Sequence, residues 1–312
     1  MPSPDRVERV ERNSTPVRTS SFYATVDGVR LHWTERGAGP GPPLLLLHGL
    51  ADSQHTWSIV GSRLASGRRV LSLDLPGCGL SDRPDANYTI DWQARLVARW
   101  IDGIGIGTFD VLGHSFGGGV ALWLLLYVAH SIRKLALIAP GGLGDEVAPL
   151  LRLAAVVGVW ERGGQWLMGP LTGVLAHRYG HVLTRAERQA LHSLNSSPGS
   201  ARAFARTVRD VVSWRGQTRR LWSRIDEIRL LPSIGLFWGE QDRVVPIAHG
   251  EALCRRLQNC SLWRLRGAGH FLHWQAPEWL ASAIVEYLDA PLIRCSRPQP
   301  GSWATASALG EL

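Results

Sequence analysis

The fold of this chain is decided by the segment Thr108-Phe-Asp-Val-Leu-Gly-His-Ser-Phe-Gly-Gly-Gly-Val-Ala-Leu-Trp-Leu-Leu-Leu-Tyr-Val-Ala129. It opens with a short apolar run of strand length, Phe109 to Leu112. It closes with a long apolar run without proline, which is typical of a buried helix. Between them stands Gly-His-Ser-Phe-Gly, with Ser115 at its centre. A serine at a sharp turn between a strand and a helix predicts a nucleophile elbow of the pattern G-x-S-x-G.

The glycines of this pattern have a steric reason. Strand and helix pass so close together at such a turn that side chains two positions before and after the serine would collide. Gly113 and Gly117 avoid the collision because glycine has no Cβ. The helix N-terminus points at the serine and favours the negative charge that acyl transfer develops. The segment therefore predicts Ser115 as a catalytic nucleophile.

Length and charge narrow the class of protein. A chain of 312 residues is long enough for one large α/β domain with an insertion. The net charge is +8, and it is carried almost wholly by arginine, since Lys134 is the only lysine. The arginines are spread along the chain rather than gathered in one block, which favours solvated surfaces over nucleic-acid binding. We therefore expect a small-molecule substrate and no nucleic-acid partner.

Cysteine spacing and apolar run lengths bear on metal binding and location. Cys78, Cys254, Cys260 and Cys295 form no C-x-x-C pair, so we expect neither a zinc site nor a disulfide framework. Residues 1–13 are rich in Arg and Glu and lack the apolar centre of a secretory signal. The longest apolar stretches are too short for a membrane span. These features predict a soluble cytoplasmic protein.

Strand and helix signals alternate on both sides of the elbow. Asp27-Gly28 between two strand-like runs predicts a hairpin. Leu44–Leu47 is a continuous apolar run, as in a strand buried on both faces. Further strands are predicted at 70–74, 109–112, 135–139, 234–238 and 261–265, and helices at 89–103, 248–257 and 277–288. The alternation predicts an α/β fold with a mostly parallel central sheet and helices on both faces. This core would span residues 21–140 and 232–289, with flexible arms at 1–20 and 290–312.

The alternation stops between residues 141 and 231. No strand is predicted there. The pattern gives amphipathic segments at 147–160, 166–179, 185–194, 200–215 and 219–228. Helices inserted between two strands of a sheet would lie over the strand ends. We therefore predict a helical cap over residues 141–231.

Two polar residues follow later strands and complete a set with Ser115. A serine nucleophile needs a base, and the base needs an orienting acid. Asp242 comes just after the predicted strand 234–238, and His270 comes just after 261–265. The carboxyl ends of parallel strands meet at one edge of a sheet, so we expect these side chains to lie together. Glu240 and His273 are the alternatives for acid and base, and His270 is preferred for its glycine-flanked turn.

Acyl transfer also needs two hydrogen-bond donors for the oxyanion. One is predicted to be the backbone N–H of Phe116, the residue after the nucleophile. The other is predicted to be the N–H of Leu50, in the loop after the strand at 44–47. His48 is expected to hold that turn. Asp74, in a turn rich in Gly and Pro, is expected to fold its loop rather than to act in catalysis.

From about Phe22 to Leu288 the chain resembles the α/β-hydrolase superfamily. The resemblance rests on four separated motifs: His48-Gly49, Asp-Leu-Pro-Gly-Cys-Gly-Leu-Ser-Asp at 74–82, Gly-His-Ser-Phe-Gly at 113–117 with Trp-Gly-Glu-Gln-Asp at 238–242, and Gly-His at 269–270. It implies an α/β-hydrolase fold and the triad already assembled from the strand ends.

Within that superfamily the serine at the elbow argues against haloalkane dehalogenases and epoxide hydrolases, where an aspartate would stand. Residues 139–144 and 238–250 are similar to the serine-dependent meta-cleavage product hydrolases, which split carbon–carbon bonds in vinylogous diketo acids. The chain departs from their pattern at His114, at Phe271 and in the loop 49–52. These positions belong to the oxyanion region and the substrate pocket, so the C–C activity is not transferred.

The sequence thus predicts a serine hydrolase that cleaves a carboxylic ester of a small to medium apolar substrate through an acyl-enzyme. No metal or organic cofactor is required. C–C bond hydrolysis is the alternative. A non-catalytic ligand-binding protein on a hydrolase fold is the second alternative, although such a protein would not need all three triad residues. The oligomeric state is not indicated.

Overall fold

A computed structural model of the protein describes residues 5–11, 19–156, 164, 169–170, 172–174, 177, 183–228 and 230–292. Its centre is an eight-stranded sheet. The strands of this sheet are β1 (Asp5–Glu11), β2 (Ser20–Val26), β3 (Val29–Leu47), β4 (Arg68–Leu73), β5 (Phe109–His114), β6 (Ile132–Ile138), β9 (Ser233–Gly239) and β10 (Cys260–Leu265). A separate two-stranded sheet contains β7 (Val212–Ser213) and β8 (Gly216–Gln217).

The order of strands confirms the predicted mostly parallel sheet. Along the sheet the order is β1-β2-β3-β5-β6-β9-β10, and β4 pairs with β3. The pairs formed by β3 with β4 and with β5, by β5 with β6, and by β9 with β6 and with β10 are all parallel. The antiparallel pairs among the described strands of this sheet are β1 with β2 and β2 with β3. The carboxyl ends of β5, β9 and β10 therefore lie along one edge.

Helices cover both faces of this sheet. They are α1 (Ser58–Leu64), α2 (Ile90–Ile104), α3 (Phe116–Val128), α4 (Pro149–Val156), α5 (Arg185–Asn195), α6 (Ser200–Val211), α7 (Ala248–Arg256), α8 (Leu272–Gln275) and α9 (Pro277–Asp289). Leu45 and Leu47 pack into one apolar core with α2 and α3. Leu44 and Leu46 pack into a second core with α1 and α9. The alternation of a strand thus sends successive leucines to opposite layers, which is why this run contains no polar residue.

The first hairpin forms as predicted, but the two strands around it are longer. Asp27 has φ 50° and Gly28 has φ 76°, as a two-residue type I′ turn requires. Strand β3 continues through residues 37–43, a glycine- and proline-rich stretch without the side-chain pattern of a strand. Its register with β4 shifts repeatedly across this glycine- and proline-rich part. The backbone pairing continues there although the side-chain pattern gives no strand signal.

The prediction of a flexible arm at residues 1–20 is wrong for residues 5–11. They form β1, an antiparallel edge strand on β2. The free edge of β2 offers unpaired backbone N–H and C=O groups, and pairing to them does not depend on an apolar pattern. Residues 12–18, like most of the predicted tail at 290–312, lie outside the described residues.

Between β6 and β9 the chain forms an insertion, residues 141–231. Its described elements are α4, α5, α6, the β7–β8 hairpin and a 3-10 helix at Leu221–Glu227. The prediction that this segment contains no strand is therefore wrong. Helix α6 ends at Val211 rather than near residue 215, and Gly216 at φ 129° turns the chain back on itself. Of the predicted helix at 166–179, residues 169–170, 172–174 and 177 are described and are helical, while its other residues and the end of the helix predicted at 147–160 lie outside the described residues.

The expectation that no disulfide would form is also wrong. Cys254 in α7 and Cys260 at the start of β10 are bonded, with their Cα atoms 4.9 Å apart. The chain reverses between the helix and the strand, which brings together two cysteines whose spacing fits no known motif. Cys78 is a free thiol. Within the described ranges, no helix combines the length and the apolar character needed to cross a membrane.

Gly117 marks the closest approach of α3 to the sheet. A Cβ at this position would lie 2.4 Å from the carbonyl oxygens of Leu47 and His48, at the end of β3. These are backbone atoms of a buried strand and have no room to move aside. By contrast, a Cβ at Gly119 would meet the tip of the Ile90 side chain at 3.3 Å. The steric need for glycine is therefore much stronger at residue 117 than at residue 119.

We expect Gly117→Ala to lower the free energy of unfolding by about 3 kcal/mol, the upper range for forcing an extra methyl group into a packed core. Gly119→Ala is the matched control in the same helix, and a side-chain shift together with the better helix propensity of alanine should keep its effect within about 1 kcal/mol. Urea unfolding of both variants measures the difference. Equal losses in the two would contradict this account of the elbow.

Candidate active site

Ser115 lies at the turn between β5 and α3, in a backbone conformation that L-residues rarely adopt. Its φ and ψ are 52° and −116°. Its N–H donates to the Ile138 carbonyl at 2.9 Å. Its own carbonyl accepts from the N–H groups of Gly119 and Gly141, both at 3.0 Å. The turn is thus fixed from the helix, from β6 and from the start of the insertion.

Asp242 and His270 are brought together by the loops after β9 and β10. The Nδ1 atom of His270 lies 2.8 Å from Oδ2 of Asp242. The other carboxylate oxygen of Asp242 accepts from the N–H groups of Val244 and Val245. The Asp242 side chain is completely buried, whereas Glu240, the alternative acid, is exposed. An acceptor on Nδ1 directs the second ring nitrogen of His270 away from the acid.

His114, the last residue of β5, joins this strand to the loop that carries His270. Its Nε2 donates to the backbone carbonyl of His270 at 3.0 Å. A carbonyl only accepts, so the proton of the neutral ring must stand on Nε2. The two imidazole rings lie 4.9 Å apart. Since Ser115 follows His114 directly, this bond sets the position of the His270 loop beside the serine.

The alternative base, His273, has a different environment. It is buried, and neither ring nitrogen has a hydrogen-bond partner among the described residues. Burial, together with the nearby His270, lowers the pKa of His273 to about 3. Burial also holds the pKa of His114 well below its usual range, with His273 and His270 adding to the effect. Both rings are therefore neutral near pH 7.

Leu50 and Phe116, the residues predicted to supply the oxyanion donors, line the same pocket as Ser115. Phe116 is the first residue of α3, so its N–H has no partner within the helix. Leu50 follows a turn in which Nδ1 of His48 lies 2.8 Å from the Gly49 carbonyl, and Nε2 of His48 accepts from the Leu75 N–H. Those bonds give His48 the turn-holding position expected from the sequence.

Asp74 organises the neighbouring loop. Its Oδ1 accepts from the Gln54 N–H at 2.7 Å, and its Oδ2 accepts from the Leu80 N–H at 2.9 Å and lies 2.6 Å from Nδ1 of His32. Burial works to raise the pKa of Asp74, but these bonds, with His32 first, outweigh it and lower the pKa. With its oxygens occupied in this way, Asp74 folds the loop, as its position in the sequence indicates.

A pocket beside Ser115, here named the serine pocket, lies between the core and the insertion. Its free space is about 440 Å³, including the part that opens to solvent. The core contributes Leu50, Ile90, Ser115, Phe116, Gly119 and Val245, and the insertion contributes Gly141, Gly142, Val147, Leu151, Val211, Val212, Gln217 and Arg219. The lining is mainly apolar.

The insertion residues of this pocket were not identified from the sequence. Val147, Leu151 and Val212 stand in amphipathic segments whose inward faces resemble ordinary core residues. Gln217 has a structural part as well, since its Oε1 accepts from the Gly142 N–H at 2.7 Å. None of them belongs to a motif, and only the way the insertion folds back brings them to the serine.

The buried, neutral state of His273 predicts a pH-dependent stability. The unfolded chain binds a proton at His273 near pH 6.5, but the folded protein does so only near pH 3. Stability is therefore fully present above pH 6.5 and falls, by about 1.4 kcal/mol per pH unit for this residue, as the pH drops toward 3. In urea unfolding between pH 7 and 4, the free energy of unfolding of His273→Phe should fall less steeply with decreasing pH than that of the wild type, by about 1.4 kcal/mol per pH unit. The control His130→Gln, at an exposed histidine, should follow the wild-type curve, and an unchanged slope in His273→Phe would refute the prediction.

Comparison with known proteins agrees with this fold. Residues 42–277 match the family model described as alpha/beta hydrolase fold. An uncharacterized protein of Mycobacterium tuberculosis is 31% identical over 298 residues, which cover 89% of this chain and 85% of that protein. An alpha/beta hydrolase fold protein from Burkholderia ambifaria is 26% identical, with a TM-score of 0.70 over 85% of this chain and 96% of that one. Cfl2 from Burkholderia cenocepacia is 22% identical, with a TM-score of 0.75 over 86% and 96% of the two chains. The chain belongs to the α/β-hydrolase fold family.

Proposed function

We propose that this protein is a serine hydrolase that cleaves a carboxylic ester of a small to medium apolar substrate. Ser115 is the nucleophile, His270 the general base and acid, and Asp242 the residue that orients His270. The backbone N–H groups of Leu50 and Phe116 hold the oxyanion. The scheme requires no metal ion or organic cofactor.

The observation that carries this proposal is the Asp242–His270 hydrogen bond of 2.8 Å. The backbone of His270 in turn accepts a hydrogen bond from His114, the residue that precedes Ser115. A buried carboxylate on Nδ1 stabilises the imidazolium that forms when the second ring nitrogen takes a proton. It also fixes the tautomer that is able to take it. A histidine serving only in packing would have no need of this carboxylate.

In the proposed reaction, Oγ of Ser115 bonds to the acyl carbon while its proton passes to His270. The bond from the acyl carbon to the alcohol oxygen then breaks, and His270 gives its proton to the departing alcohol. Water attacks the acyl-enzyme by the reverse sequence, releasing the acid and restoring Ser115. The helix α3 N-terminus and the two N–H groups favour the negative charge of both intermediates.

The lining of the serine pocket supports an apolar acyl group. Ile90, Val147, Leu151 and Val212 face the space beside the nucleophile. Burial of an acyl chain against such walls stabilises the complex by about 0.8 kcal/mol per CH₂ group. In this proposal the insertion acts as the predicted cap, since it supplies much of the wall over the serine.

The carbon–carbon hydrolase alternative uses the same three residues on a different bond. A vinylogous diketo acid has a chromophore that disappears on cleavage, so it separates the two reactions in one absorbance assay. Hydrolysis of that compound without hydrolysis of any ester would replace the proposed reaction. A folded protein that cleaves neither would favour the non-catalytic, ligand-binding alternative.

We expect p-nitrophenyl esters to be hydrolysed with an optimum at short or medium acyl chains, measured in a series from acetate to dodecanoate. Ser115→Ala should lower kcat by roughly 10⁴-fold or more, because it removes the atom that forms the acyl-enzyme. Ser66→Ala, at an exposed serine, is the matched control and should retain wild-type rates. Wild-type turnover by Ser115→Ala would overturn the mechanism.

The bond from His114 to the His270 carbonyl gives a separate prediction. His114→Phe keeps the ring volume but removes the donor, and the displaced His270 loop should lower kcat about tenfold with KM within about twofold. His114→Gln can still donate to the carbonyl and should restore most of the rate. Steady-state kinetics of the pair provide the test. If the two variants are equally slow at equal stability, the hydrogen bond does not position His270.

A further inference from the structure

A second pocket, here named the amide pocket, adjoins the serine pocket at the two residues predicted to supply the oxyanion donors. Leu50 and Phe116 line it as they line the serine pocket, and the side chains of Gln93 and Asn195 form part of its wall. It lies among the turn after β4, helix α2 and helices α5 and α6 of the insertion. A substrate held at the oxyanion donors can therefore extend in two directions.

Gln93 presents a hydrogen-bond acceptor without a donor in this wall. The residue is 1% exposed, so water does not solvate it freely. Its Nε2 donates to Oγ1 of Thr207 at 3.2 Å and weakly to the Tyr88 carbonyl at 3.4 Å. Its Oε1 is buried and has no hydrogen-bond partner within the described residues. A buried carbonyl oxygen left in this way is unfavourable, and a bound donor would offset that cost.

Asn195 is oriented in the same way. Its Nδ2 donates to the Ala51 carbonyl at 2.8 Å and to the Leu191 carbonyl at 3.0 Å. Both partners only accept, so they fix the amide nitrogen, and Oδ1 is directed elsewhere. The wall of the amide pocket thus includes two side-chain amides whose N–H groups are already bound to acceptors, and of their oxygens the Gln93 Oε1 is the one that is buried without a partner within the described residues.

The charge of the lining defines the kind of donor. The residues around the amide pocket include no Asp, Glu, Lys or Arg. The nearest thiol, Cys78, is kept neutral because burial raises its pKa to about 12. The charged groups that act on Cys78 are Arg83, Asp74 and Asp52, and none of them is in the lining. An ammonium group would therefore lose its hydration here without a carboxylate in direct contact, which is unfavourable. A hydroxyl group supplies the donor without that cost.

We propose that the amide pocket binds the alcohol half of the ester and selects alcohols that carry a second hydroxyl group, with Gln93 Oε1 as its acceptor. This inference rests on the proposed function. Ser115 lines the serine pocket and not the amide pocket, so the acyl group that bonds to Ser115 occupies the former. The alcohol half then extends past Leu50 and Phe116 into the latter. The substrate class is a fatty or other apolar acyl ester of a diol or polyol.

The test compares 2-hydroxyethyl butanoate with propyl butanoate, which have the same number of heavy atoms and differ only at the terminal hydroxyl or methyl group. The wild-type protein should prefer the hydroxyethyl ester by about tenfold in kcat/KM, the discrimination that one buried hydrogen bond supplies. Gln93→Met and Gln93→Glu both lose the amide N–H groups, and only the latter keeps an oxygen acceptor. Gln93→Met should lose the preference, and Gln93→Glu should retain it.

A control variant distinguishes acyl binding in the serine pocket from alcohol binding in the amide pocket. Leu151→Ala, in the serine pocket, should change the preference for acyl length but leave the tenfold preference for the hydroxyethyl ester unchanged. Equal hydrolysis of both esters by the wild type, or a preference that survives in Gln93→Met, would overturn the assignment of the amide pocket while leaving the esterase intact. Failure of folded wild-type protein to hydrolyse either ester would overturn the proposed function, and this inference with it.

Discussion

The left-handed backbone at Ser115 is the constraint on which the rest of the site depends. A non-glycine residue with φ 52° costs about 1–3 kcal/mol and persists only where its surroundings fix it. Here the fixing groups are the carbonyl of Ile138 and the N–H groups of Gly119 and Gly141. They belong to β6, α3 and the first residue of the insertion, so the turn forms only when sheet, helix and insertion are assembled. The glycine at 117, beneath the same turn, allows α3 to approach β3 closely enough for this.

Much of the fold could be predicted because its signals are local. Leu44–Leu47 is apolar on both faces, which only a strand in the middle of a covered sheet requires, and Phe109–Leu112 follows the same pattern except at Asp110, which pairs with Arg133. The elbow is a contiguous motif, and a histidine and an aspartate follow directly after later strands. Parallel strands bring their carboxyl ends to one edge, so chain order alone predicted that Asp242 and His270 would lie together. Their bond of 2.8 Å follows from topology rather than from neighbouring sequence.

What the sequence did not reveal depends on contacts between distant segments. Residues 5–11 pair through backbone atoms, which leave no periodic side-chain signal. The β7–β8 hairpin lies in a segment whose apolar spacing continues that of helix α6. In the sequence, only Gly216 marks the point where the chain reverses direction. The Cys254–Cys260 bond reflects how α7 leads into β10. The amide pocket shows this most clearly. Gln93 and Asn195 are far apart in the sequence, and they line one pocket only because the insertion packs on α2.

The three histidines His114, His270 and His273 differ in their hydrogen-bond partners, and this difference decides which of them takes a proton in the proposed mechanism. His114 lies 4.9 Å from the His270 ring and 4.4 Å from the His273 ring, so a positive charge on either neighbour would oppose protonation of His270. Burial keeps both neighbours neutral by lowering their pKa values. The one carboxylate that accepts from a ring in this cluster is Asp242, and it accepts from His270. In the proposed mechanism the proton taken from Ser115 therefore has a single favourable destination, and the two neutral rings help to define it by excluding water and charge from the space behind the nucleophile.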